Sequence, residues 1–276
     1  MVDFNSAEDG KRLRNCAVFF EDGQMQHQVY KRLLPTYDVF DESRYFEPGT
    51  DCKTYSYKGH RIGLTVCEDL WNDEDIFQRR IYHLDPIDAL VKDGADMIIN
   101  VSASPFHTGK VDFRKNMHSS IARKYGVSLV YVNQVGGNDS LLFDGLSAVF
   151  DRQGRMVARS NDFAEDLIIY DTSSGAAERR EISTSENEAV FKALVMGTRD
   201  YVLKCGFTKA VIGLSGGIDS ALTAAIAVKA LGPENVTTVF MPSIYTSRDN
   251  YDDTQQLARN LGVKLETIPI DRIYQE

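Results

Sequence analysis

The sequence is poor in metal ligands, in positive charge and in long apolar runs. Its four cysteines, Cys16, Cys52, Cys67 and Cys205, are scattered with no Cys-x-x-Cys pair. That excludes a zinc ribbon and a dense disulfide framework, and it fits a reducing cytoplasm. The five histidines form no His-Glu-x-x-His pattern, so metal hydrolysis from a zinc-bearing helix is excluded as well. Lysine and arginine number 31 against 40 aspartates and glutamates, a net charge of −9. Such a balance argues against general affinity for nucleic acid or anionic membranes. No apolar run approaches the roughly 20 residues needed to span a bilayer, and the start, Met1-Val2-Asp3-Phe4-Asn5, lacks the regions of a secretory signal. What is present is ordinary for a globular chain: 276 residues, 43% hydrophobic and 26% charged, enough for one large domain or two.

Turn chemistry and apolar periodicity divide the chain. Cys16–Phe20 and Gln26–Tyr30 flank Glu21-Asp22-Gly23, while Tyr55–Tyr57 and Arg61–Cys67 flank Lys58-Gly59-His60; each arrangement predicts a hairpin. Asp96–Val101 and Ser128–Asn133 are apolar runs, each preceded by a helical stretch ending in glycine (Gly94, Gly126). Continuous runs of this kind predict strands buried on both faces. Ser147–Phe150, Met156–Ala158 and Leu167–Tyr170 continue the strand pattern, so residues 1–172 read as a layered sheet-and-helix domain with mixed strand directions. Residues 173–185 are small, polar or charged and predict a linker. From Glu186, Val190, Phe191, Leu194, Val195, Tyr201, Val202 and Cys205 recur at helical spacing. Strands at Ala210–Leu214, Val236–Met241 and Lys264–Ile268 then alternate with helices at Asp219–Leu231 and Asn250–Leu261. That alternation predicts an α/β domain with a doubly wound parallel sheet over 186–276.

The sharpest local signal is Gly213-Leu214-Ser215-Gly216-Gly217-Ile218-Asp219-Ser220, between a predicted strand and helix. Adjacent glycines let the backbone approach an anion. The helix N-terminus behind them offers unpaired N–H groups and partial positive charge. Ser215 and Ser220 add hydroxyls, and Asp219 is placed to hold a magnesium ion between phosphates. The bland alternative is a glycine turn before a helix cap. No Gly-Lys-Ser/Thr follows the glycines and no Gly-x-Gly-x-x-Gly is present, so neither a Walker loop nor a dinucleotide fingerprint applies. Ser215–Ser220 resembles the loop of the N-type ATP pyrophosphatases, with Met241–Ser247 similar to a later segment of the same family. The resemblance implies that residues 213–220 grip ATP, with Mg2+ at Asp219, and that AMP passes to a substrate oxygen.

Cys67 follows a predicted strand directly, in Val66-Cys67-Glu68-Asp69-Leu70-Trp71. A thiolate attacking an amide needs a nearby cation, an oxyanion partner and a base; a lone cysteine is otherwise a small buried hydrophobe. Its surroundings resemble the nitrilase-type glutaminase domain at five ordered places across nearly all of residues 1–172. These are Lys31–Glu42 with Arg44–Gly49, Cys67–Asp69, Asn100–Phe106 with Gly109-Lys110, Asn133–Asp139, and Phe143–Gly145. The resemblance implies that Cys67 is the nucleophile, that Lys31 stabilises the oxyanion, and that Tyr37, Ser104 and Lys110 bind glutamine. Taken singly, these four would be a strand-end lysine, a half-buried aromatic, a turn residue before Pro105 and a surface lysine. Two features of the family are expected outside the chain: a general-base glutamate upstream of Met1, and most of the deamido-NAD site beyond Glu276. Glu8 lies too near Lys31 in sequence to be that base, and Ser140 stands where relatives often carry an acidic residue.

The two resemblances together point to the glutamine-dependent NAD synthetase family. They imply a nitrilase-like α-β-β-α sandwich followed by an ATP pyrophosphatase domain. The implied reaction is ATP-dependent amidation of deamido-NAD to NAD with ammonia from glutamine, giving AMP, pyrophosphate and glutamate. Expected partners are glutamine, deamido-NAD and ATP, with Mg2+, in a cytoplasmic homo-oligomer that binds neither nucleic acid nor membrane. Two other readings use the same residues: a stand-alone carbon–nitrogen hydrolase of a small amide, and a catalytically dead assembly module.

Overall fold

Both predicted hairpins form in the computed structural model, which describes residues 1–4, 10–72 and 82–272. Strands β1 (Val2–Phe4), β2 (Leu13–Glu21) and β3 (Gln24–Tyr30) make a three-stranded antiparallel sheet. Next come the one-turn helix α1 (Glu42–Tyr45), β4 (Tyr55–Tyr57), β5 (His60–Val66), α2 (Pro86–Lys92), β6 (Met97–Ser102) and α3 (Lys110–Tyr125). They are followed by β7 (Ser128–Asn133), the hairpin β8 (Val135–Asn138) and β9 (Leu141–Asp144), β10 (Ala148–Phe150) and β11 (Met156–Arg159). Six of these strands form one sheet in the order β11-β10-β7-β6-β5-β4, in which β5, β6 and β7 run parallel and the outer pairs antiparallel.

Chemistry at the helix ends explains their limits. Asp85 caps α2, its carboxylate accepting from the N–H groups of Ile87 and Asp88 at 3.0 and 3.1 Å, an arrangement worth about 1 kcal/mol. Helix α3 stops at Gly126, whose left-handed backbone ends the turn. The two helices bury Ile87, Leu90, Met117 and Ile121 in one core with Ile98, Leu129 and Phe150 of the sheet. Burying side chains of this size contributes roughly 1.5–3 kcal/mol each before entropy is counted.

Two expectations for this region fail. Strands β6 and β7 are not buried on both faces: Val101 and Val132, paired across the ladder, are 47% and 44% exposed. Leu167–Tyr170 is not a strand. Leu167 is 81% exposed, and only an isolated bridge joins Tyr170 to Ala177; apolar β-formers make no strand without a neighbouring edge to pair with. Beyond it, within residues 173–185, Glu178 O accepts from Arg159 N–H and Arg180 N–H donates to Arg159 O.

The chain divides into two compact units, Met1–Val135 with Phe143–Ile182, and Gly136–Leu142 with Ser183–Glu276. The second contains α4 (Glu186–Lys204), β12 (Ala210–Leu214), α5 (Ile218–Leu231), β13 (Val236–Phe240), α6 (Arg248–Leu261) and β14 (Lys264–Thr267). Its strands are parallel in the order β12-β13-β14, as the alternating pattern predicts. On α4 the buried side chains are Ala193 and Met196, whereas Phe191, Leu194 and Tyr201 of the predicted stripe are exposed. At Gly197 only a residue without a side chain fits, because the tip of the β8–β9 hairpin lies against this helix. A Cβ on Gly197 would come within 2.7 Å of Leu142 Cδ2, Gly137 N–H donates to Asp200 at 2.7 Å, and the Lys204 ammonium donates to Gly137 O.

Candidate active site

Strand β5 ends at Val66, and Cys67 turns out of it with φ +44. A non-glycine residue in that region is strained by about 1–3 kcal/mol, so the surroundings must hold it. Asp69 does so. One carboxylate oxygen accepts from Arg32 and Leu33 N–H at 3.0 and 2.9 Å, the other from Val66 N–H at 3.0 Å. The same carboxylate therefore fixes the turn at Cys67 and the chain just after Lys31. Burial pushes Asp69 up to about 6, against the pull of those three donors.

Lys31 is 1% exposed, and its ammonium meets Glu42 Oε1 at 2.6 Å. A buried ammonium needs such a partner. The Cys67 thiol is pushed up by burial and by Glu68, and pulled down by the Lys31 ammonium, the Ala103 N–H and the Ser102 hydroxyl. Behind it, Asn100 on β6 donates to Cys67 O at 3.3 Å and to Thr65 Oγ1 at 3.0 Å, and Ser102 donates to Asn100 Oδ1 at 2.6 Å. The period-two alternation of β6 puts Asn100 and Ser102 on the face that carries the buried Ile98.

The other predicted residues gather around this centre within the same unit. The Tyr37 ring is largely exposed, but its hydroxyl donates to Glu68, 2.9 Å from each carboxylate oxygen, and Tyr82 donates to Oε1 at 3.0 Å. Burial raises the Glu68 carboxyl and both tyrosine hydroxyls. Lys110 starts α3 with its ammonium 5.3 Å from the centre of the Trp71 ring; burial and then Arg114 lower its proton affinity, while Cys67 and Glu68 act the other way. Ser104 is buried, with the Tyr131 hydroxyl close to it. Glu8 lies outside the described residues.

Glu42, Glu68, Asp69, Asn100, Arg114, Asn133 and Asp144 also build this site, and sequence reasoning gave none of them a role. Signals existed for some. Glu42 ends the same family-resembling segment that begins at Lys31, and Arg114 follows Lys110 by four residues, which puts both on one helical face. Arg114 pairs with Asp144, both almost wholly buried. Removing one member of such a pair costs about 3–5 kcal/mol, because the other is left charged and alone.

In the second unit, β12 runs into the glycine loop. Gly216 alone needs a left-handed backbone, φ +82, and a Cβ there would lie 2.9 Å from Asn250 Cα at the start of α6. Gly217 is extended at φ −88, so the expectation that both glycines are conformationally special narrows to one. Ser215 and Ser220 lie 3.1 Å apart through their hydroxyls, Ser220 Oγ accepts from Ser215 N–H at 3.2 Å, and Ser215 Oγ accepts from Gly217 N–H at 3.2 Å. Gly217 leaves α5 without a side-chain cap, with Asp219 in the first turn. A helix start lacking a side-chain cap is suited to an anion.

Comparison with known proteins adds the following. Residues 1–181 match the family model for carbon–nitrogen hydrolases, and residues 190–276 that for NAD synthase. A glutamine-dependent NAD(+) synthetase of Synechocystis sp. is 47% identical over 268 residues, 95% of this chain and 48% of that protein. One from Thermotoga maritima is 38% identical over 297 residues, covering 94% and 50%. The structure of the glutamine-dependent NAD+ synthetase from Acinetobacter baumannii in complex with ADP superposes with a TM-score of 0.88 at 37% identity, covering 99% of this chain and 51% of that one. The chain thus spans about half the length of the relatives it matches.

Proposed function

Because the chain belongs to the carbon–nitrogen hydrolase family, we propose that its first unit cleaves the side-chain amide of glutamine, and that its second unit activates deamido-NAD with ATP for amidation to NAD. The observation that carries this reading is the joining, in one chain, of a strained thiol beside a buried lysine with an uncapped glycine loop behind a parallel strand. Relatives covering nearly all of the chain, and named for that reaction, support it.

The Cys67 sulfur attacks the amide carbon of glutamine, and the Lys31 ammonium stabilises the negative oxygen that results. The carbon–nitrogen bond breaks, ammonia leaves with the proton taken from the thiol, and a glutamyl thioester remains. Water then cleaves the thioester, releasing glutamate and restoring the thiol. The resemblance assigns the proton transfers to a general-base glutamate. Tyr37, Ser104 and Lys110 bind glutamine, with the Lys110 ammonium suited to its α-carboxylate.

In the second unit the carboxylate of deamido-NAD attacks the α-phosphorus of ATP and pyrophosphate leaves. Ammonia then attacks the acyl carbon, forming the amide and releasing AMP. The loop from Gly213 to Ser220 and the first turn of α5 hold the pyrophosphate. Asp219, in the first turn of α5, would hold Mg2+ through its carboxylate. The ion would supply positive charge to the phosphates of ATP. Among the described residues no helix is long and apolar enough to cross a membrane. The free cysteines favour a cytoplasmic setting, and the family resemblance favours a homo-oligomer.

The test supplies the purified full-length protein with glutamine, ATP, Mg2+ and deamido-NAD. NAD, AMP, pyrophosphate and glutamate should appear in equal amounts. Glutamate released without NAD would replace this reading with a stand-alone hydrolase; neither product would leave an assembly module.

A further inference from the structure

Arg114 sits one helical turn beyond Lys110, yet its guanidinium is turned inward onto Asp144, and both side chains are more than nine-tenths buried. The other Asp144 oxygen accepts from Asn133 Nδ2 at 3.2 Å. Asn133 in turn holds both backbone polar groups of one residue: its Oδ1 accepts from Ser104 N–H at 2.8 Å, and its Nδ2 donates to Ser104 O at 3.3 Å. Ser104 ends the segment whose Ser102 hydroxyl and Ala103 N–H face the Cys67 sulfur. Ser102 is further tied through Asn100 to the Cys67 carbonyl. A continuous path of hydrogen bonds therefore leads from a helix of the core to the segment that touches the nucleophile.

A buried ion pair is a poor route to stability, because desolvation offsets most of its attraction. It does fix geometry, since each partner has one satisfactory position. We propose that Arg114, Asp144 and Asn133 are positioning residues for the thiol chemistry, a buried relay that holds residues 102–104 at the distance where their donors stabilise the Cys67 thiolate. The relay rests on the reading of Cys67 as the nucleophile. It predicts a change in the sulfur itself, which a scaffold role alone does not.

Asn133→Ser in the full chain breaks the relay without stranding a charge, because Arg114 and Asp144 stay paired. Two quantities are measured: the pH dependence of Cys67 alkylation by iodoacetamide, read by mass spectrometry at that residue, and kcat for glutamate release. The alkylation midpoint should rise by about one pH unit as donors to the thiolate loosen. kcat should fall about 10²-fold, the scale of a 1 Å misplacement, while NAD formation from ammonium persists. Arg114→Met with Asp144→Asn, which removes both charges together, should shift both readouts the same way by less, and Arg114→Lys should return them towards the original values. An unchanged midpoint in Asn133→Ser overturns the proposal, whether or not activity falls. If Asn133→Ser does not fold, the paired variant decides on the same two readouts. A shifted midpoint in a protein that never releases glutamate keeps the relay and discards glutamine as the substrate.

Discussion

Several of the hydrogen bonds that shape the thiol site join residues 29 to 37 apart in sequence, from Ser104 with Asn133 to Arg32 with Asp69. Those that close the glycine loop of the second unit join residues two to five apart, all within Ser215–Ser220. The thiol site therefore exists only when β3, β5, β6, β7 and α3 have come together, and loss at any of them reaches Cys67. The loop needs a strand before it and a helix after it. Buried side chains dominate the first, such as Lys31, Glu68, Asp69 and Asn100, where electrostatic effects are strong and unpaired groups costly. Exposed backbone and hydroxyls dominate the second, where water screens charge until a ligand displaces it.

The largest test of this contrast is a crossed pair of substitutions. Cys67→Ala should remove glutamine-dependent NAD formation, on the order of 10⁶-fold where other catalytic nucleophiles have been deleted, and leave synthesis from added ammonium intact. Asp219→Ala should depress both routes by about 10²–10³-fold, the scale of several kcal/mol of metal assistance. Product formation from each nitrogen source, measured in both variants, decides the matter. Loss of the ammonium route in Cys67→Ala would mean that the thiol site and the loop are not separable, and the comparison would collapse.

The same contrast explains what could be read from the sequence. The loop and the alternating elements around it are legible because their determinants are neighbours: Ala210–Leu214 is strand as predicted, and the helix and strand limits after it move by one or two residues. Cys67, Lys31, Tyr37, Ser104 and Lys110 carry no local signal of chemistry and were reached only through family resemblance. Asn133 and Asp144 fall in segments that carry the resemblance, but their bonding is not legible, because a buried asparagine that grips a backbone 29 residues away looks in sequence like any turn former. The apolar stripe of α4 misleads for a related reason: what the helix buries is set by a hairpin that comes from far along the chain.

Gly216→Ala should show how self-contained the loop is. Alanine at φ +82 is strained, and its Cβ would press on the backbone of Asn250, so a cost of about 1–3 kcal/mol is expected. Because the strain is local, it should appear as weaker ATP binding in titration calorimetry, with the rate of Cys67 alkylation unchanged. An altered alkylation rate would show that the loop is tied into the fold of the first unit after all.

The smallest effect expected is one of pH on stability, and it should belong to the first unit alone. All five histidines fall at or before His118, so the second unit has none. His118 lies on α3 with its ring 4.3 Å from that of Tyr131, and its Nε2 is buried with no hydrogen-bond partner among the described residues. Burial, then the Arg114 charge, lower its pKa from 6.5 to about 3. The native state therefore binds fewer protons than the unfolded chain between those values, and stability falls as pH drops below 6.5. At pH 5.5 this amounts to about 1 kcal/mol. Asp69 works in the opposite sense, since burial raises it to about 6 and protonation favours the native state as pH falls. The informative quantity is thus the difference between the protein and His118→Phe, which leaves Asp69 in place. The single tryptophan, Trp71, lies in the first unit, so denaturation followed by its fluorescence reports that unit alone. Between pH 7.5 and 5.5 the unsubstituted protein should lose about 1 kcal/mol more than His118→Phe. Equal losses would mean that His118 is not the group held neutral.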